Sequence, residues 1–163
     1  LSLPQSLFLS VLSEEGQNQP PKPTTKELKW KTNFVTSNIY IFGNYLKYSR
    51  VLSQTPWEVE GKKMYETSIQ DEIANVIRPH FDPTDVKFHS GGREDVDVRC
   101  LGNGRPFTLE LINPKRYLSI KPEDLQAMEA ELAKNPHVNV KNIRFHDETC
   151  FEILKASETE KIK

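Results

Sequence analysis

Residues 91–112 read GGREDVDVRCLGNGRPFTLELI, and no other stretch limits the fold as sharply. Polar and apolar residues alternate on both sides of Gly102-Asn103-Gly104. A period of two belongs to a half-buried strand. Glycines that can take positive φ favour a tight reversal between two strands. The pattern therefore predicts a β-hairpin, with one strand through Asp95–Leu101, a turn at 102–104 and a returning strand over Pro106–Ile112.

The rest of the chain alternates strand and helix signals. Ile39–Arg50 is rich in β-branched and aromatic residues and predicts a long strand bent at Gly43, ended by the proline turn of Gln54–Trp57. Thr67 or Ser68 can cap a helix whose one face carries Ile69, Ile73, Val76, Ile77 and Phe81, with Pro83 just beyond it. Val86–Ser90 predicts a short strand. Pro122–Lys134 predicts a second helix with Leu125, Met128 and Leu132 as its stripe. His137–Phe145 predicts a further strand, and the stretch from Cys150 to Lys163 a last one. This order implies an α+β fold: a mixed, mainly antiparallel sheet with helices on one face.

The chain has 163 residues, enough for one compact domain and a tail. Glu14–Thr25 is polar and proline-rich, so residues 1–25 read as a flexible segment and linker, and residues 26–163 as the folded part. The opening LSLPQSLFLSVL is too short to span a bilayer and lacks the basic start of a signal peptide, so no membrane partner is expected. A formal net charge of −1 supplies no global basic field, and any nucleic-acid site must be a local patch. Two cysteines, Cys100 and Cys150, without a CxxC form no disulfide framework, and a reducing compartment follows. The four histidines are scattered, and no zinc or other metal site is predicted.

Glu94, Asp95 and Asp97 crowd three acids into four positions between Arg93 and Arg99. On a strand, Arg93, Asp95, Asp97 and Arg99 share one face. Glu94, Val96, Val98 and Cys100 share the other, with the last three buried. Flanking arginines favour the ionised carboxylate, which suits a nucleophile. Gly91 and Gly92 leave room for a substrate backbone. From the residues alone three readings stand: an edge strand charged against aggregation, a two-metal nuclease using Asp95 or Asp97 with Glu110, and a lone catalytic aspartate supported by arginine. Against the nuclease, Ile112 stands where its lysine belongs.

Read together and in order, KYSR (47–50), QTPW (54–57), GREDVDVR (92–99), LGNGRPF (101–107) and LINPKR (111–116) resemble the family of tRNA pseudouridine synthases that act on T-loop uridines. The resemblance runs from about Lys29 to the C-terminus. It implies that residues 26–163 are the N-terminal half of a pseudouridine synthase catalytic domain. An RNA-binding THUMP module would precede this half, and a continuation would supply a tyrosine that stacks on the target base. The implied reaction needs no metal and no cofactor. The uridine leaves the RNA stack, its N1–C1′ bond breaks, and the base turns and rejoins through C5. The family's G-R-x-D motif falls on Gly92, Arg93, Glu94 and Asp95, so Asp95 is the implied catalytic carboxylate. Arg93 would hold it ionised and fill the space of the extruded base, and Asp97 and Arg99 would give support. The implied partners are tRNA and other structured RNAs, and the implied location is the nucleus and cytoplasm. A fragment that binds RNA or protein without catalysis is the alternative.

For RNA contact, aromatics can stack on bases and cations can neutralise phosphates. YLKYSR interleaves the aromatics Tyr45 and Tyr48 with the cations Lys47 and Arg50, Gly92 lies in the motif, and Arg105, Lys115 and Arg116 are expected at the hairpin tip and a strand end. Trp57 is expected to fill the core.

Overall fold

The protein, seen in a computed structural model, is described at residues 29–32 and 36–160. The expected linker over 1–25, and its boundary near Lys26, lie outside these residues. The chain divides into two units, residues 1–33 and 34–163.

The second unit is built around a four-stranded antiparallel sheet. In chain order its strands are β1 (Ile39–Lys47), β2 (Glu58–Val59), β3 (Lys62–Lys63), β4 (Asp85–Ser90), β5 (Cys100–Ile112) and β6 (Val138–His146). The sheet order is β4-β5-β1-β6, and β2 with β3 forms a separate small ribbon. The helices are α1 (Ile69–Phe81), α2 (Pro122–Leu132) and α3 (Cys150–Glu160).

Alternation along the strands builds two cores. Ile41 and Tyr45 of β1 join Phe107, Leu109 and Leu111 of β5 and Val138, Val140 and Ile143 of β6 on one face. There they meet Ile69, Ile73, Ile77 and Phe81 of α1 and Leu125, Met128 and Leu132 of α2. These are the two stripes that helical spacing marks out. Ser68 caps α1 by accepting from the Asp71 amide at 3.1 Å, and Asp82 ends it in the left-handed region.

Tyr40 and Phe42 point the other way and pack on Cys150 and Leu154 of α3. The final stretch is therefore a helix rather than the expected strand. Its apolar Cys150 and Leu154 recur at i, i+4, and Glu152, Leu154, Lys155 and Ala156 are good helix formers. The α+β class stands, with α1 and α2 on one face of the sheet and α3 on the other.

The expected hairpin is not formed. Cys100 pairs with Lys47 and Arg105 with Tyr45, so Leu101–Gly104 oppose Leu46 alone and the strand continues in the same direction. Gly102 and Gly104 do take positive φ, at 70° and 77°, but they serve a large β-bulge. A Cβ on Gly104 would lie 2.6 Å from the Tyr45 carbonyl oxygen, so the bulge packs hard against β1. The bend expected at Gly43 is a second bulge, in which Asn142 and Ile143 of β6 lie opposite that glycine.

Candidate active site

With β5 starting at Cys100, residues 91–99 form a loop from β4 to β5, not a strand. Strand alternation therefore does not organise the acids. Asp95 and Asp97 are exposed, as are Arg93 and Arg99, and among the described residues no ion pair joins them. Val98, expected inside, is 45% exposed, whereas Glu94 is 8% exposed.

What shapes the loop is a set of side chains that hold it from below. The Tyr45 hydroxyl donates to Glu94 Oε2 at 2.7 Å and accepts from Gln54 Nε2 at 2.8 Å. Gln54 Nε2 also donates to the Gly92 carbonyl at 3.1 Å, and Ser90 Oγ donates to the same oxygen at 2.7 Å. Arg105 places Nε 2.9 Å from Glu94 Oε2 as an ion pair and donates through Nη1 to the Gly91 carbonyl at 3.0 Å. Lys47, fully buried at the end of β1, donates from Nζ to the carbonyls of Asp95 at 2.9 Å and Val96 at 2.7 Å. The Val98 amide closes a turn onto the Asp95 carbonyl at 3.1 Å.

Buried polar groups need partners, and charged ones most of all. Glu94 is satisfied through Oε2, while Oε1 is buried without a hydrogen-bond partner. Burial, reinforced by the negative charge of Glu94, raises the Tyr45 phenol well above its ordinary range, so it stays protonated and donates. Burial lowers the Lys47 ammonium from its ordinary value, against the pull of Glu94 and Asp97.

The two glycines of the loop do not open space for a substrate. A Cβ on Gly91 would fall 2.0 Å from Ser157 Oγ of α3, and one on Gly92 would fall 2.7 Å from Arg105 Nη1. The space is filled by the protein itself. Gly92 also takes φ of 90°, which a side chain disfavours.

The structure gathers some of the candidate residues and separates others. Gly92, Arg93, Asp95, Asp97 and Arg99 lie together in the loop. Tyr48 and Arg50, both exposed, leave β1 at this same end of the sheet. Arg105 is not at a turn tip: it lies within β5, its side chain 14% exposed, committed to Glu94 and Gly91. Lys115 and Arg116 are exposed beyond the other end of β5, and β1 spans eight residue steps between the two ends, about 26 Å. Glu110 pairs with Tyr40, seven steps or roughly 23 Å from the Lys47 end, and is bonded to Asn38 and His89. The carboxylate that the nuclease reading requires is thus remote from Asp95. Trp57 is 44% exposed and lies against Tyr65 rather than in the core.

The family model described as "Pus10, C-terminal" matches residues 40–163. The chain belongs to the Pus10 C-terminal family. Among its relatives, the tRNA pseudouridine synthase Pus10 of Xenopus laevis is 35% identical over 78% of this chain and 24% of its own length. The putative tRNA pseudouridine synthase Pus10 of Drosophila melanogaster is 40% identical over 77% of this chain and 25% of its own. That of Methanothermobacter marburgensis is 37% identical over 77% of this chain and 34% of its own. The chain thus spans about a quarter to a third of the length of these relatives.

Tyr45 and Lys47, read from the sequence as an aromatic and a cation open to RNA, are instead fully buried and hold the loop from within. Gln54 and Glu94, which complete the network, are not among the site residues expected from the sequence. The first two carry a signal. Counting by twos from Ile41 puts Tyr45 and Lys47 on the core face of β1, where a lysine needs a buried acceptor. Gln54 lies outside regular structure and offers no period to read, and Glu94 is drawn inward by its bonds to Tyr45 and Arg105, not by the strand period that set it beside Val96, Val98 and Cys100.

Proposed function

We propose that this member of the Pus10 C-terminal family carries the catalytic carboxylate of a tRNA pseudouridine synthase, that the carboxylate is Asp95, and that the substrate is a uridine in the T-loop of tRNA. One observation carries the reading. In the Gly92-Arg93-Glu94-Asp95 motif the neighbours of Asp95 are tied to the sheet by Lys47, Tyr45 and Arg105, while its own carboxylate is exposed. An aspartate so presented meets a base only after that base has left its stack, and its main chain has little freedom to move away.

The chemistry asked of this chain is small. Asp95 acts at the sugar or as a base while the N1–C1′ bond of the uridine breaks. The uracil turns in place, C5 bonds to C1′, and the C5 proton is lost as N1 gains one. Arg93, Tyr48 and Arg50, exposed at the same end of the sheet, are the cations and aromatic available to phosphates and bases.

The test uses the natural-length protein and a tRNA transcript. Asp95→Asn and Asp95→Ala should each lower pseudouridine formation in the T-loop by about 10³-fold or more, while tRNA is still retained on a filter. Turnover at the wild-type rate in either variant rejects Asp95. Isomerisation confined to uridines outside the T-loop rejects the substrate assignment alone. Binding by the wild-type protein with no isomerisation anywhere leaves the RNA-binding reading.

A further inference from the structure

Lys47 is an unusual residue to find wholly inside a protein. It lies at the last position of β1, in step with Ile41 and Tyr45 on the core-facing side, and has 0% exposure. Among the described residues no carboxylate lies within ion-pair distance of its ammonium. Its two hydrogen bonds go instead to successive main-chain carbonyls, those of Asp95 and Val96.

A buried ammonium is expensive unless it is well bonded. The fold alone does not ask for one here. The two carbonyls belong to a surface loop, where water could serve them, and a methionine could fill the same core space without desolvating a charge. What a neutral replacement cannot do is hold two consecutive peptide groups with charge-assisted bonds. Together with the Tyr45–Glu94 bond on the preceding residue, those bonds fix residues 94, 95 and 96 one after another. The Asp95 side chain then projects from a main chain that is held on both sides.

We infer that Lys47 is a positioning residue for Asp95, setting the direction of its carboxylate by clamping the Asp95 and Val96 carbonyls, without itself touching the substrate. The inference rests on the reading of Asp95 as the catalytic carboxylate. Misplacing a reacting group by about 1 Å costs on the order of 10²-fold in rate, so the clamp should be read in the chemical step rather than in RNA affinity.

The experiment compares Lys47→Met with Asp95→Asn in the natural-length protein, measuring single-turnover pseudouridine formation and tRNA affinity separately. A Lys47→Met protein that is folded by circular dichroism should lose about 10²-fold in single-turnover rate and bind tRNA within about twofold of wild type. A wild-type rate, or a loss carried wholly by tRNA affinity, overturns the inference. Activity in Asp95→Asn defeats the catalytic reading itself. An inactive Asp95→Asn beside a fully active Lys47→Met defeats only the clamp. If Lys47→Met does not fold, hydrogen exchange on the wild-type protein decides. A protected Val98 amide supports a held turn, and exchange at the rate of an unstructured peptide overturns it.

Discussion

Two charged loops leave the sheet at opposite ends, and they are built differently. Residues 91–99 and 113–121 each carry two or more cations beside apolar residues. The first is held from beneath by Tyr45, Lys47, Gln54 and Arg105, each donating into the loop from a neighbouring element. The second is held mainly through its own main chain. Lys115 and Arg116 donate their amides to Asp82 and Phe81 at the end of α1, and Thr36 bonds to Asn113 and Pro114. The Lys115 side chain reaches Asp82 at 3.7 Å with both groups open to solvent. Leu118 is 88% exposed. Charge content alone does not distinguish a candidate catalytic loop from a connecting one. The difference is whether buried polar side chains of the sheet end in the loop's backbone.

The sharpest way to break this contrast is to remove the buried end of the first network. Glu94→Leu leaves the Arg105 guanidinium without its carboxylate in a site where it is mostly covered. It should lower stability by about 3 kcal/mol, seen as a lower urea midpoint at unchanged slope. A smaller effect separates the two glycines of the β5 bulge. Gly104→Ala should cost about 2 kcal/mol, because its Cβ would collide with the Tyr45 carbonyl at positive φ. Gly102→Ala faces nothing within 4 Å and should cost about 1 kcal/mol, from its φ alone. Equal melting-temperature shifts for the two would mean that the bulge does not press on β1. At the far end, Lys115→Ala with Arg116→Ala should change stability by no more than about 0.5 kcal/mol. A loss as large as that of Glu94→Leu would erase the distinction between the loops. The same double variant probes RNA contact: a weaker salt dependence of tRNA binding would assign these cations to phosphates.

Much of the architecture is legible in the chain. Ile69, Ile73, Ile77 and Phe81 mark one helix by their spacing, and Leu125, Met128 and Leu132 mark another. Both stripes lie in the core as their period requires. The β-branched and aromatic run from Ile39 is legible as a strand, and the structure places it as β1 between two packed faces. The glycines at 102 and 104 are readable as positive-φ positions. Their use is not readable, because a hairpin turn and a bulge ask the same conformations of glycine and differ only in which strand lies alongside. The alternation of Asp95 to Cys100 misleads for a related reason. Period two is also met by chance in a short loop, and the pairing that would make it a strand depends on β1, some fifty residues earlier in the sequence.

The sequence by itself therefore determined the helices α1 and α2, the long strand β1, the α+β class and, through its ordered motifs, the family. These are carried by periodicity and by residues close together in the chain. Tertiary structure alone decided that β5 runs straight through the glycines, that the C-terminal helix packs on the second face, and that Glu94 is drawn inward while Asp95 stays out. The last of these turns on where a buried charge or a main-chain carbonyl finds its partner. For Glu94 and Lys47 those partners lie 49 and 48 residues away. No local pattern records a hydrogen bond made across that distance.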